Sequence, residues 1–433
     1  GGARQLPAQL ASASAVGQLA TQPQVNGAIG SLRSVYSPNL QNGLPNGSMA
    51  FSVGGQDPVF GRRIGYLASL NYSASQEVRE GELEQNPVIR DGAIARNEGW
   101  TGSMSNLSTL WGGLLNLSTF VGTGSRISFN NTFTRGSDNI ARQSIGETFA
   151  YSGAVAERTT LRFVARDIRS NQLRGEHEFG RQGFDWNVTN SGVKRDEPDR
   201  VDHVRVRSAA NQPFVLQEED PDAIRKTFGT LDETNWVFGA NYRLRLGSES
   251  SPWVIKFGAQ QRNTDRDALN RQFNLQARVG QIPEATRAGA LESLFGSQFL
   301  APTANAWRIG NIAEDGQYTA RERLTGGYGM VELPVTSRIK VIGGARVERA
   351  DIAVTTLLSN NREIPATLVN TDVLPSLVVN VQATQTQALR FSATQTLARP
   401  EYRELSPVQF LDVIGSATTV GNPNLRRTLI QNF

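Results

Sequence analysis

Residues 371–407 read TDVLPSLVVNVQATQTQALRFSATQTLARPEYRELSP, two alternating runs joined by a short polar turn. Leu377, Val379, Val381 and Ala383 fall on one face of the first run, and Ser376, Asn380 and Gln382 fall on the other, the period of two that a strand imposes. In the second run Leu389, Phe391, Ala393 and Leu397 share a face opposite Arg390, Ser392, Thr394 and Thr396, with Thr384–Gln387 as the connection. The stretch is a β-hairpin with one apolar and one polar face. In a soluble sandwich the apolar face would cover a core; in a membrane barrel it would face lipid, and the polar face a watery lumen.

Composition does not decide between them. The 433 residues are 38% hydrophobic, and the mean hydropathy of −0.36 suggests a soluble chain. A transmembrane barrel, however, needs apolar residues only at alternate positions of short segments, so its average hydropathy stays low. The charge-free stretch 99–125 is interleaved with Ser, Thr and Asn, which excludes a spanning helix there. The absence of cysteine rules out disulfides, thiolate metal sites and cysteine nucleophiles. With 44 basic and 40 acidic residues, the charge is +4 and mixed in sign, so no nucleic-acid partner is indicated. His177 and His203 stand far apart without matching ligands and read as ordinary strand or surface positions. The chain opens Gly-Gly-Ala-Arg with no signal peptide, which reads as a processed or truncated sequence.

Outward from the hairpin, the same pattern recurs. Residues 1–45, rich in Gln, Asn, Ser, Gly and Pro, read as a loop or lead-in segment, and residues 46–433 as one strand-built unit. Met49, Phe51 and Val53 pair with the Ile64–Tyr72 run through a turn near Gly55. Trp111–Leu117 pairs with Ile127–Phe133, Thr160–Phe179 with Phe184–Val188, Trp236–Leu244 with Trp253–Ala259, and Leu324–Met330 with Val341–Val347. Two short helical pieces are expected in the connections: a turn capped at Asp220-Pro221-Asp222, and a helix over Pro283–Phe295.

The connections favour the membrane reading. Turns near Gly55, Gly122, Gly180, Gly247, Val335 and Thr384 are short, whereas those at about 77–98, 137–156, 194–230, 265–317, 356–368 and 399–421 are longer and more charged. Such strict alternation has no reason in a sandwich or propeller, but follows in an outer-membrane barrel with short periplasmic turns and long external loops. Tyr72, Trp253 and Tyr328 then read as interface aromatics. No enzyme motif competes: Gly122-Thr-Gly-Ser-Arg lacks the third glycine of a dinucleotide loop, and no Walker, His-Glu-x-x-His or Gly-x-Ser-x-Gly sequence occurs. Asp265-Arg-Asp267 lacks the glycine and distal Glu of a calcium loop, so no catalytic, metal or cofactor residue is assigned.

The hairpin, followed by Gly421-Asn-Pro-Asn-Leu-Arg-Arg-Thr-Leu-Ile-Gln-Asn-Phe, resembles the late barrel of TonB-dependent outer-membrane receptors. In that family a Leu-Pro-Ser-Leu strand, a strand ending Ala-Arg-Pro and a Gly-Asn-Pro-Asn-Leu strand start occur in this order. Gly61-Arg-Arg-Ile-Gly-Tyr-Leu-Ala, Gln172-Leu-Arg-Gly-Glu-His and Gly343-Gly-Ala-Arg-Val-Glu resemble other strands of the same barrel, so the similarity covers most of residues 46–433. The resemblance implies an all-β, antiparallel, up-and-down transmembrane barrel of about 22 strands, plugged by an N-terminal domain. It also implies import of a siderophore, vitamin or oligosaccharide across the Gram-negative outer membrane, with energy from a TonB–ExbB–ExbD complex. No plug or TonB box is found, and the twelve strands and start of a thirteenth make this a partial barrel. Phe433, although aromatic like many barrel C-termini, reads as an accident of truncation. A plugless diffusion porin and a non-transporting adhesion or carbohydrate-binding β-protein remain the alternatives.

Strand direction alternates, so the runs from Trp253 and from Ile339 both rise from short turns and depth can be assigned. Lys256, Lys340 and Arg243 fall low in the lumen, where the implied plug would meet them. Arg346, Glu348 and Arg323 fall higher, with Tyr318 and Trp307 near the loop base, and these five are the ligand-binding candidates.

Overall fold

The computed structural model describes residues 4–12, 15–43, 45–59, 61–90, 93–147, 151, 154–248, 251–311, 316–358, 361–410 and 419–433. Its strands are β1 (Gly47–Val59), β2 (Arg62–Arg90), β3 (Ala93–Val121), β4 (Ser125–Glu147), β5 (Val155–Phe179), β6 (Gln182–Arg207), β7 (Ile224–Leu246) and β8 (Trp253–Ala277). They continue with β9 (Trp307–Asn311), β10 (Gly316–Pro334), β11 (Ile339–Leu358), β12 (Glu363–Gln382), β13 (Ala388–Ala398), β14 (Gln409–Phe410), β15 (Thr419–Val420) and β16 (Thr428–Asn432). Fourteen of these form one antiparallel sheet in which neighbours in sequence are neighbours in space, from β1 at one edge to β16 at the other; β9 adds to β8 above the end of β10. Local hairpins therefore generate the whole sheet, and the six expected hairpins plus a thirteenth strand start are all present.

Length and exposure separate two zones along the strands. A tilted strand needs about 9–11 residues to cross a bilayer, whereas β2 and β3 each have 29. Beside the short turns, one face carries exposed and half-buried apolar side chains in register across the sheet: Phe51 opposite Leu70, Leu117 opposite Phe129, Val188 opposite Phe238, Tyr242 opposite Phe257 and Val379 opposite Phe391. Phe51 is 67% and Phe391 61% exposed, and so continuous an apolar surface fits lipid rather than water. Crossing by strands is the only route open to the described residues, because no helix is long and apolar enough to span. The opposite face is less accessible although the sheet is a single layer: along β10 the even-numbered residues from Gly316 to Gly326 are buried and the intervening ones, except Gln317, are exposed. The sheet curls around that face, making it concave.

Several sequence expectations shift. The turn expected near Gly55 lies further on, between Val59 and Arg62, because Gly54 and Gly55 pair with Leu67 and Tyr66, and a Cβ on Gly55 would meet the Tyr66 hydroxyl at 2.9 Å. Much of the charged connections is ladder: β2 and β3 pair as far as Arg90 and Ala93, and β4 pairs with β5 as far as Glu147 and Val155. Asp220–Asp222 makes no helix; the Asp220 carboxylate accepts the Asp222 N–H at 2.9 Å, a side-chain-closed turn before β7. The expected helix over Pro283–Phe295 splits into α2 (Glu284–Arg287) and a 3-10 turn (Leu291–Phe295), since extended Ala290 interrupts it, and α3 (Ser297–Leu300) follows. The short turns keep glycines at positive φ, among them Gly247 at +83°. A side chain there costs about 1–2 kcal/mol, so Gly247→Ala should lower the urea midpoint of the detergent-refolded protein measurably without changing its secondary structure.

The 1–45 lead-in, read as loop, contains α1 (Gln22–Ser31). A capping box starts it: the Gln24 side chain accepts the Thr21 N–H at 3.0 Å, with Pro23 in the first turn. Leu10, Ile29, Leu32 and Tyr36 then bury against Ile224, Phe228, Phe273, Leu275, Leu294 and Trp307, the largest apolar core among the described residues. Each such side chain contributes roughly 1.5–3 kcal/mol when fully buried, so packing, not helix propensity, holds the segment. Since β7 and β8 pair without slip from Arg225↔Asn274 to Leu246↔Trp253, Phe228 shares its face with Phe238, and Phe273 with Phe257. The lead-in and the connection after β8 therefore cap the outer face above the apolar band.

Candidate functional site

The concave face carries the charge. Low on it, the Glu332 carboxylate accepts from Lys256 at 2.8 Å and from Lys340 at 2.7 Å, binding β8, β10 and β11 together. Arg243 is the ladder partner of Lys256 and pairs with Glu178. The three residues expected to meet a plug thus share one face and one level, each with a carboxylate partner on the wall. At this height wall charges first serve one another.

Higher up, the described part of the β13–β16 connection folds back over the concave face. Its helix α4 (Tyr402–Leu405) opens with Glu401 as cap and Glu404 closing the box. Arg399 reaches Glu348 at 2.6 Å, the Tyr402 hydroxyl donates to Glu322 at 2.5 Å, and Arg427 holds Asp372 at 2.5 Å. Arg262 also pairs with Glu322, and Arg266 donates to Glu233 at 2.6 Å while lying over the Tyr402 ring. Leu405 packs with Tyr318, Ile352 and Leu368, and the buried hydroxyls of Ser406 and Thr356 meet at 2.8 Å. Carboxylates of the wall therefore fasten basic and phenolic groups of the loop, leaving pockets on either side of it.

Among the ligand candidates, Arg346 and Glu348 lie on the concave face, where Arg346 donates to Glu348 at 2.8 Å. Tyr318 lies on the same face higher up, buried beneath α4. Arg323 does not join them: it is opposite Asn263 and Asp351 on the exposed outer face. The register Lys256↔Met330 turns Met330, Tyr328 and Leu324 inward, so the intervening Arg323 points out. Trp307 is enclosed in the outer cap, stacked on Phe295 with centroids 4.7 Å apart, its indole N–H donating to the Leu294 carbonyl at 3.1 Å.

A constellation that sequence reading passed over lies above, on the concave side of β5–β8. A cavity of about 290 Å³ is lined by Arg162, Arg195, Arg200 and Arg225 from the wall and by Arg403 from the loop, with Tyr318 at its edge. Glu197 accepts from Arg162 at 3.0 Å and also pairs with Arg195; Asp202 lies 2.8 Å from Arg200. Burial, then the neighbouring Arg162, Arg166, Arg403 and Arg200, lower the Arg195 guanidinium to about 10. The alternation of His203-Val-Arg-Val-Arg207 marks a strand inside the charged connection, but not the cluster itself.

Comparison with known proteins places this geometry. The family described as TonB dependent receptor-like, beta-barrel matches residues 35–433. No curated protein matches the chain. Among solved structures, the siderophore receptor PiuA from Acinetobacter baumannii is similar at 10% identity and a TM-score of 0.44, over 82% of this chain and 50% of that one. The chain thus spans half the length of that receptor.

Proposed function

The chain belongs to the TonB-dependent receptor family, and from that premise we propose that it forms barrel wall of an outer-membrane importer that takes up a scarce ligand from outside. The observation that supports this reading most is the division of one curled sheet into an exposed apolar band on its convex face and a charged concave face roofed by Arg399, Tyr402 and Arg427 of the connection after β13. Lipid would cover the band, and the ligand would enter the concave side past that loop. Arg346, Glu348 and Tyr318 are the wall residues placed to meet it; Arg243, Lys256 and Lys340 would face a plug once their carboxylate partners yield. Energy would come from a TonB–ExbB–ExbD complex acting through a plug, as in the family at large.

The localisation half is tested first. The full protein should sediment with outer membranes and migrate faster on gels unheated than boiled, because a closed barrel resists detergent denaturation. Recovery in the soluble fraction without detergent would overturn the reading.

A further inference from the structure

The arginine-lined cavity has a composition that wall-to-wall pairing does not explain. Five guanidiniums line it against the carboxylates of Glu197 and Asp202 among the described residues. Glu197 is already shared by Arg162, Arg195 and Arg200, and Asp202 also accepts from Thr160 at 2.7 Å. Arg225 leans on Asp222, itself nearly half exposed, through one terminal nitrogen at 2.5 Å. Its Nε is buried without a hydrogen-bond partner among the described residues, and the whole residue is 7% exposed. A buried, unpartnered donor on a charged group is costly, and guanidiniums crowded around the shared Glu197 carboxylate add their mutual repulsion to that cost. Both are relieved by a bound oxyanion, whose oxygens fit the guanidinium fork.

We infer that this cavity, beneath Arg403 and beside Tyr318, binds a small organic ligand through at least two oxyanion groups, carboxylate or phosphate. The inference rests on the importer reading for its purpose but not for its test. It gives the cargo a chemical class: a polyanion small enough for about 290 Å³, recognised by Arg225 and Arg195 from the wall and by Arg403 from the loop. Since Arg403 sits in α4, binding would also tie the loop to β6 and β7.

The test is calorimetric titration of the full detergent-purified receptor with two probes, citrate and pyrophosphate. Binding of either in the micromolar to low-millimolar range, weakening steeply between 50 and 300 mM salt, is expected; a preference for one identifies the oxyanion as carboxylate or phosphate. Arg225→Gln and Arg195→Gln should each weaken that binding roughly 10-fold or more, the loss of a charge-assisted hydrogen bond. Arg321→Gln, on the exposed outer face, should leave it unchanged. Should the wall variants fail to fold, Arg403→Gln in the loop carries the same expectation. No binding of either probe, or binding that Arg225→Gln and Arg403→Gln leave intact, overturns the inference. Membrane recovery is scored separately: anion binding by a protein that never reaches the outer membrane would sink the importer and spare the cavity.

Discussion

Asp199→Asn should release residues 4–40 from the sheet. Lys226 is fully buried, and its ammonium donates to the Asp199 carboxylate at 2.7 Å and to the Arg33 carbonyl at 2.6 Å, with the Tyr36 ring 4.7 Å away. Arg33 itself approaches Asp199 at 3.6 Å. Burial holds the Lys226 ammonium below its ordinary value while Asp199 pulls it back up. Without the carboxylate, a buried charge is left with one carbonyl and one ring face. Breaking such a pair from one side costs about 3–5 kcal/mol; Asn keeps a polar partner, so about 3 kcal/mol is expected. Asn also suits the backbone, since Asp199 sits at φ +55°, in the left-handed region that Asn tolerates. Amide exchange or limited proteolysis should show the lead-in opening while the band strands β7 and β8 stay protected near their short turns. The double variant Asp199→Asn with Lys226→Met should recover most of the loss, because no charge remains to be buried. Unchanged protection in the single variant would refute the account.

How much of this was legible follows from where each residue sits relative to lipid. In the band the two faces meet opposite solvents, so Phe51, Leu70, Phe257 and Phe391 announce their face by alternation, and every hairpin and the membrane class could be read. Above the band both faces meet water or protein, and the alternation fades although the ladder continues. Glu77, Arg79, Glu82 and Glu84 lie in β2, yet read as loop because only Val78 and Leu83, separated by a register shift between Arg79 and Glu82, mark their other side. The capping box of Thr21 and Gln24 was visible in sequence, but its helix has little apolar stripe of its own and depends on a distant partner, the cap built on β7 to β9. On β10, Leu324, Tyr328 and Met330 look like the lipid stripe, while the true outer positions include Thr325, Gly327 and Gly329; only the pairing with Lys256 decides. One step of parity moves Arg323 across the sheet. The arginine cavity needs a bulge between Glu197 and Arg200, three strands and a loop to assemble, a juxtaposition that spacing along one chain does not carry.

The lead-in should also loosen on acidification, through His203. Its Nε2 lies 3.0 Å from the Tyr36 carbonyl, which can only accept, so the ring donates there; its Nδ1 is buried without a partner among the described residues. Burial pushes this imidazole down to about 4, outweighing the Tyr36 carbonyl and nearby Asp202 and Glu292, which favour the charged form, while Arg205 opposes it. With the segment released, the ring returns towards its ordinary value of about 6.5. The released state therefore binds the proton first: packing is at full strength above about pH 6.5 and weakens as pH falls from there towards 4. Each unit is worth about 1.4 kcal/mol, so the loss approaches roughly 3 kcal/mol at the acid end of that window. Below about 4.5 a second group adds to it. Burial alone would raise the Glu292 carboxyl, but the backbone N–H groups of Tyr36 and Ser37, at 2.8 and 2.9 Å, hold it low, and their bonds weaken when it protonates. Exchange protection of residues 22–36 measured from about pH 7.5 to about 3.5 should fall along this course. His203→Gln, whose amide can still donate to the Tyr36 carbonyl, should flatten the decline between pH 6.5 and 4.5 and leave the Glu292 step below it; an identical slope in the variant would remove His203 as its source.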